Sequence, residues 1–392
     1  MKILQIISSL DPAEGGISEG VRQSGISLTS VRHEVEVASL DPPDAPYLRN
    51  YPLPVYALGP AKLGYAFSNR LAPWLRSNHH RYDVIIVNGL WQYHSYAVWR
   101  TLRKSGTPYV VFPHGMLDPW FKKRYPLKHV KKWLYWPWAE YRVLRDAQAV
   151  LFTSEEERLL ARKSFWLYRC NEVVVNYGTA DPAGDPDCEQ EAFFSHYPEL
   201  RGKKLALFMG RIHPKKGCDL LIEAFAKTLS QDHEWHLVIA GPDQVGWESK
   251  LRSRAERFGI ASRITWAGML RGAVKWGALR AAEMLVLPSH QENFGVVVAE
   301  ALAVGTPALI SDKVNIWREI QADGAGMVAG DTLSGTCELL RKYMATGEAE
   351  KVNMRRDARN CFEQRFEIQR AVGTLRRVLM EVSSNELIIP LT

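Results

Sequence analysis

Residues 287–307 read LPSHQENFGVVVAEALAVGTP, and this stretch decides the fold. The apolar run Met284–Leu287 that leads into it has the length and composition of a buried strand. A polar loop follows, and a helical pattern opens near Phe294. Gly305-Thr306-Pro307 then stops that helix before the next apolar run, Pro307–Ile310. Strand, loop, helix, turn and strand make a βαβ unit, which requires a parallel sheet covered by helices.

The same alternation extends in both directions. In the first half the strand candidates are Lys2–Ser8, Glu34–Leu40, Asp83–Asn88, Pro108–Phe112, Ala149–Thr153 and Glu172–Val175. In the second they are Lys204–Met209, His236–Ala240, Arg263–Trp266, Met284–Leu287 and Pro307–Ile310. Near-continuous apolar character suits strands buried on both faces. Ser154 followed by Glu155, Glu156 and Glu157 reads as a helix N-cap with acids on the first turn. Between the two series, Thr179–Gly202 carries three prolines and several acids without sustained periodicity, and reads as a linker. The sequence therefore predicts an α/β protein of two doubly wound, Rossmann-like parallel-sheet domains: 1–178, a linker at 179–202, and 203–365. A charged helical segment at 366–392 is expected to pack back on the first domain.

A chain of 392 residues is comfortable as two cores. With 46% hydrophobic and 24% charged residues it is a folded protein, not a disordered one. The five cysteines include no C-x-x-C pair, which argues against a disulfide framework or a zinc site and fits a reducing cytoplasm. Met1–Leu10 reads as a buried first strand, not a signal peptide, and no apolar stretch approaches the ~20 residues of a membrane span.

Chemistry concentrates at two strand-to-helix loops. A helix N-terminus at the carboxyl edge of a parallel sheet is an anion site, because free N–H groups and the helix dipole point there. Glu292 lies in the loop before the helix, and Glu300 roughly 9 Å along its axis. Two carboxylates bracketing a phosphate site suit a sugar on one side and a ribose on the other. The second loop, Gly210-Arg211-Ile212-His213-Pro214-Lys215-Lys216-Gly217, offers cations that can neutralise a diphosphate. Gly15-Gly16, after the first strand, permits close backbone approach to a phosphate. No G-x-G-x-x-G accompanies it, so dinucleotide binding is disfavoured.

The pattern P-S-x-x-E-x-F-G followed by E-A-L-A-x-G-x-P resembles the signature of retaining glycosyltransferase family 4, of the GT-B fold. The G-R-x4-K-G of residues 210–217 resembles the same family. The resemblance implies two Rossmann-like domains facing an interdomain cleft, with the first domain binding the acceptor. It implies that Glu292 contacts the donor sugar, that Asn293, Phe294, Gly295 and Val296 meet diphosphate and sugar, and that Glu300 holds the ribose. Arg211 and Lys216 then stabilise the leaving diphosphate. Gly15 and Gly16 match the family's glycine loop, His114 after the fourth of the first-half strands its sugar-facing histidine, and Gly268–Met269 the base-binding loop. Asn176-Tyr177-Gly178 matches a structural turn. Asn293 departs from the small or hydrophobic residues also found at its position.

The implied activity is transfer of a hexosyl unit from a UDP- or GDP-linked sugar to a glycan or lipid-linked acceptor, with retention, in bacterial polysaccharide assembly. No metal or other cofactor is expected, since the cations and the helix N-terminus serve the leaving group and no histidine spacing suits a metal. A GT-B-type nucleotide-sugar epimerase and a non-catalytic nucleotide-sugar-binding protein remain alternatives.

The net charge of +7 is locally concentrated. From Phe121 to Arg145 there are eight basic residues against the single acid Glu140, interleaved with Trp133, Trp136 and Trp138 and following Trp120. One segment is not a nucleic-acid-binding face. It predicts docking of residues 120–145 on an anionic membrane surface, as for a cytoplasmic protein held peripherally at the inner face.

Overall fold

A computed structural model of the chain describes residues 1–14, 16–62, 64–229 and 232–384. The chain forms two compact units, Met1–Gly178 with Ile368 onward, and Thr179–Glu367.

The first unit is built on seven parallel strands: β1 (Lys2–Ile7), β2 (Glu34–Ser39), β3 (Val55–Ala57), β4 (Val84–Asn88), β5 (Tyr109–Phe112), β6 (Ala149–Phe152) and β7 (Glu172–Val174). Their order is β3-β2-β1-β4-β5-β6-β7. Side chains alternate between two apolar layers, as the period of two requires. Leu4, Ile6, Ile85, Val87, Val111 and Val150 enter one, and Ile3, Ile7, Val84, Ile86, Val110 and Leu151 the other. The helix Ile368–Ser383 covers that second layer with Ile368, Val372, Leu375, Leu379 and Val382. Their spacing of three and four puts them on one helical stripe, which is why this distant segment belongs to the first unit.

The second unit carries six parallel strands: β8 (Lys204–Met209), β9 (Trp235–Ala240), β10 (Ile264–Gly268), β11 (Ala282–Leu287), β12 (Ala308–Ser311) and β13 (Gly326–Ala329), ordered β10-β9-β8-β11-β12-β13. In both sheets the order reverses once, between β1 and β4 and between β8 and β11. Brackets of this kind open a crevice at the carboxyl ends of the strands.

Two expectations need correction. Residues 179–202 are not a linker but an integral part of the second unit. Asp185 caps the helix Pro186–His196 by accepting the Asp187 and Cys188 N–H groups at 3.1 and 2.9 Å, with Pro186 opening the helix. This helix lies so close to the helix Gly272–Ala281 that a Cβ on Gly277 would fall 1.9 Å from the Glu189 carbonyl oxygen. Two strands, β3 and β13, were not expected. They are short outer strands with half-buried side chains, so they lack the apolar run that marks the inner ones. The helix after β11 starts at Val296, two residues beyond Phe294, because Gly295 takes φ +73° and serves as its N-cap.

Among the described residues, no helix is long and apolar enough to cross a membrane.

Candidate functional site

The carboxyl ends of β8 and β11 are neighbours in the sheet, with Ala206 opposite Met284 and Leu207 opposite Leu285. Their two loops therefore meet, although far apart in sequence. Gly217 makes the meeting possible. It takes φ +69°, and a Cβ there would lie 2.2 Å from the Pro288 carbonyl oxygen. The His290 N–H donates to the Lys215 carbonyl at 2.8 Å, a second tie between the loops.

This contact brings Lys216 against Glu292, and the two form an ion pair with side chains largely shielded from solvent. Burial pushes the Lys216 ammonium below its ordinary value, and the charges of Lys215 and Arg211 add to that. The Glu292 backbone is braced by the turn after β12. Its N–H donates to Lys313 O at 2.9 Å, and its carbonyl accepts from Asn315 N–H at 3.0 Å. His290 Nδ1 lies 2.9 Å from Asp331 Oδ2, pinning the same loop to the segment after β13.

Glu300 is buried on the helix Val296–Ala303, and its Oε1 accepts from Lys275 Nζ at 2.8 Å. Phe294 turns into the protein and meets Phe366 edge-on at 5.6 Å, so it is the backbone of residues 294–296 that stays with the loop. Asn293 Oδ1 accepts from Asn315 Nδ2 at 3.4 Å. Arg211 is exposed and donates to Gln244 Oε1 at 3.2 Å. Gly268, at φ +59°, ends β10, followed by the exposed Met269. Of the second-unit residues singled out in the sequence, Lys216 and Glu292 touch one another. Arg211 adds its charge to that of Lys216.

In the first unit His114 follows β5 with φ +49°, a conformation uncommon for a residue other than glycine. Its ring stacks on Phe112 at 5.3 Å and its Nε2 lies 3.1 Å from Asn88 Oδ1. Asn88 Nδ2 donates onward to Gln5 Oε1 at 3.3 Å, and Gln5 Nε2 to Val21 O at 3.2 Å. This chain of amides fixes Asn88 Oδ1 as an acceptor, so His114 carries its proton on Nε2 and presents Nδ1 as an acceptor. Burial pushes the imidazole down to about 3, which keeps it neutral. Asn88, His114, Tyr177 and Gly20 line a cavity of about 20 Å³, room for a water. Gly16 opens the helix Gly16–Ser30, while Gly15 lies outside the described residues.

Sequence reasoning missed four contributors. Asn88, Asp331 and Lys275 carry no local signal. Glu157 was legible as a first-turn acid, but nothing in the sequence indicates that its carboxylate reaches Gly115.

Two family models match the chain: "Glycosyl transferase 4-like domain" over residues 15–178 and "Glycosyl transferases group 1" over residues 189–353. Among curated relatives, a D-inositol 3-phosphate glycosyltransferase from Gordonia bronchialis is 29% identical over 57% of this chain and 52% of its own length. The lipopolysaccharide core biosynthesis mannosyltransferase LpsB from Rhizobium meliloti is 28% identical over 36% of this chain and 42% of its own length. The chain thus spans about half the length of the curated relatives it matches. Among solved structures, sucrose-phosphate synthase from Thermosynechococcus elongatus superposes with a TM-score of 0.79 at 18% identity, covering 98% of this chain and 100% of that one. HepE from Anabaena, in complex with UDP-glucose, gives 0.76 at 18% identity, with 98% and 100% covered. The two family matches do not overlap; between them they take in both loops, the whole second sheet and the first sheet from β2 onward. The chain belongs to the GT-B glycosyltransferases of the family 4 type.

Proposed function

We propose that this protein transfers a hexosyl unit from a nucleoside-diphosphate sugar, UDP- or GDP-linked, to a glycan or lipid-linked acceptor, with retention and without a metal ion. The observation that carries the reading is the shielded Lys216–Glu292 pair beside a helix N-terminus, with Glu300 one turn further along that helix. With no substrate present the two charges neutralise each other. A diphosphate offers Lys216 a better partner, and hydroxyls of the donor sugar offer Glu292 donors. Donor binding therefore replaces one internal pair by two substrate contacts at little cost in unpaired charge.

Transfer breaks the anomeric C–O bond and leaves negative charge on the departing phosphate. Lys216, Arg211 and the free N–H groups at the start of the helix Val296–Ala303 stabilise that charge as it develops. Glu300, held by Lys275, accepts hydrogen bonds from the ribose hydroxyls. His114 supplies a neutral imidazole whose Nδ1 accepts from a substrate hydroxyl. For retention, the acceptor hydroxyl attacks from the face the leaving group departs, and the leaving oxygen takes its proton. A double displacement would need a carboxylate free beneath the anomeric carbon. Glu292, the acid of the loop, is committed to the hydroxyls of the donor sugar once the diphosphate takes Lys216. The UDP-glucose bound by the Anabaena neighbour supports a nucleotide sugar as donor, and the lipopolysaccharide role of LpsB supports glycan assembly as the setting.

The test is nucleoside diphosphate release from a panel of UDP- and GDP-sugars, with and without glycan and lipid-linked acceptors. Release that depends on an acceptor supports transfer. Interconversion of the donor without release identifies an epimerase, and binding without either identifies a nucleotide-sugar-binding protein; both would overturn the reading.

A further inference from the structure

The helix Pro126–Tyr135 is turned inside out. Three of its polar side chains, His129, Lys132 and Tyr135, face the rest of the first unit. His129 stacks on Phe165 at 5.0 Å, Lys132 Nζ sits 4.4 Å from the Trp91 ring centre, and the Tyr135 hydroxyl meets that of Tyr65. Its apolar side chains face solvent. Leu127 is 83% exposed, Val130 55% and Leu134 61%, and Trp138, in the turn just beyond the helix, is 69% exposed. Positions 127, 130 and 134 share one side of the helix at spacings of three and four. Beside them Trp133 and Trp166, also exposed, meet at 6.2 Å. An apolar stripe of this length facing water marks an interaction surface.

The charges around it say what covers it. Lys122, Arg124, Lys128 and Lys131 are exposed on the same segment, and no acid occurs from Pro119 to Ala139. A protein partner of ordinary composition would not require a fringe of one sign. An anionic lipid surface matches both features, with leucine, valine and tryptophan entering the headgroup boundary and lysines meeting lipid phosphates. We propose that the face formed by Leu127, Val130, Leu134, Trp138 and Trp166 docks on an anionic bilayer surface. The structure narrows the basic segment that the sequence suggests. Lys132 points inward, and Arg145 is occupied by Asp146 at 2.6 Å, so neither serves the docking face.

The proposal does not rest on the transfer reaction, because vesicle partition is read without donor or turnover. The full chain is sedimented with vesicles of phosphatidylglycerol and phosphatidylcholine, and with phosphatidylcholine alone, at low and high salt. Wild type should pellet with the anionic vesicles, less at high salt, and stay in solution with the neutral ones. Leu127→Ser with Leu134→Ser removes exposed side chains only, so it should keep the wild-type Tm while losing partition. Lys122→Gln, Lys128→Gln and Lys131→Gln should each weaken partition about fivefold. Equal pelleting with both vesicle types would overturn the proposal, as would indifference to either set of changes. So would a dimer in light scattering that the serine changes dissolve, since the face would then cover a second copy of this chain.

Discussion

Glu157 Oε1 accepts the backbone N–H of Gly115 at 2.6 Å, while its Oε2 accepts both the N–H and the hydroxyl of Thr153 at 2.7 Å. Ser154 caps the helix that carries Glu157, its Oγ accepting the Glu157 N–H at 3.1 Å. One buried carboxylate thus holds the end of β6 and the turn after β5 together, and that turn carries His114. The left-handed conformation of His114 persists because Glu157 fixes the residue after it.

Glu157→Ala should therefore cost about 1–3 kcal/mol, since buried N–H groups lose their acceptor. The imidazole should also become easier to protonate as its turn loosens. Urea unfolding gives the first quantity and an NMR titration of His114 the second. Unchanged stability and titration would show that the turn holds without Glu157.

Glu300→Ala should weaken nucleoside diphosphate binding by about 1.5–3 kcal/mol, the range for hydrogen bonds to a charged group. Lys275→Met should weaken it less, and Lys275→Arg should restore it, because the cation orients the carboxylate and does not itself meet the ribose. Calorimetric titration with UDP and GDP reads all three. Equal affinity in wild type and Glu300→Ala would remove the ribose assignment.

Lys216→Ala should lower kcat more than it raises the donor KM, because the charge it meets develops only as the bond breaks. It also leaves Glu292 without its partner, so Glu292→Gln in the same background should recover stability but not turnover. A Lys216→Ala variant with wild-type kcat would contradict the leaving-group role.

Glu140 sets a pH dependence of stability. It is fully buried, and burial pushes its carboxyl up to about 7, against the Trp91 N–H at 2.9 Å, the Ser95 hydroxyl at 3.1 Å and the charge of Lys132. A carboxyl raised above its unfolded value of about 4.3 stabilises the native state fully below that pH. The contribution is lost as pH rises towards 7, at roughly 1.4 kcal/mol per unit. The Tm of Glu140→Gln relative to wild type should therefore rise from pH 5 to pH 7 and level off above. A difference constant across that range would show that Glu140 ionises as it does in the unfolded chain.

On the proposed reading Arg211, Lys216 and the helix N-terminus supply the countercharge for the diphosphate, so activity should survive EDTA. Loss of turnover on chelation, restored by a divalent ion, would assign that countercharge to a metal instead.

The sequence by itself determined the βαβ alternation, the inner strands, the loops 210–217 and 288–295, and the residue types that suit a diphosphate, a sugar and a ribose. These are local properties. Apolar runs, cap residues and glycines with left-handed backbone act within a few positions of themselves, and a periodicity reports them directly. Tertiary structure alone decided which loops meet. Lys216 reaches Glu292 because β8 and β11 are adjacent in sheet order, and Gly217 is small enough to seat against Pro288. It decided that Pro186–His196 forms a helix against Gly277 and that Lys275 holds Glu300. It also decided that the helix Pro126–Tyr135 shows Leu127 and Leu134 to solvent and Lys132 to Trp91. Amphipathic spacing tells which residues share a side of a helix, but only the neighbouring elements decide which side faces in.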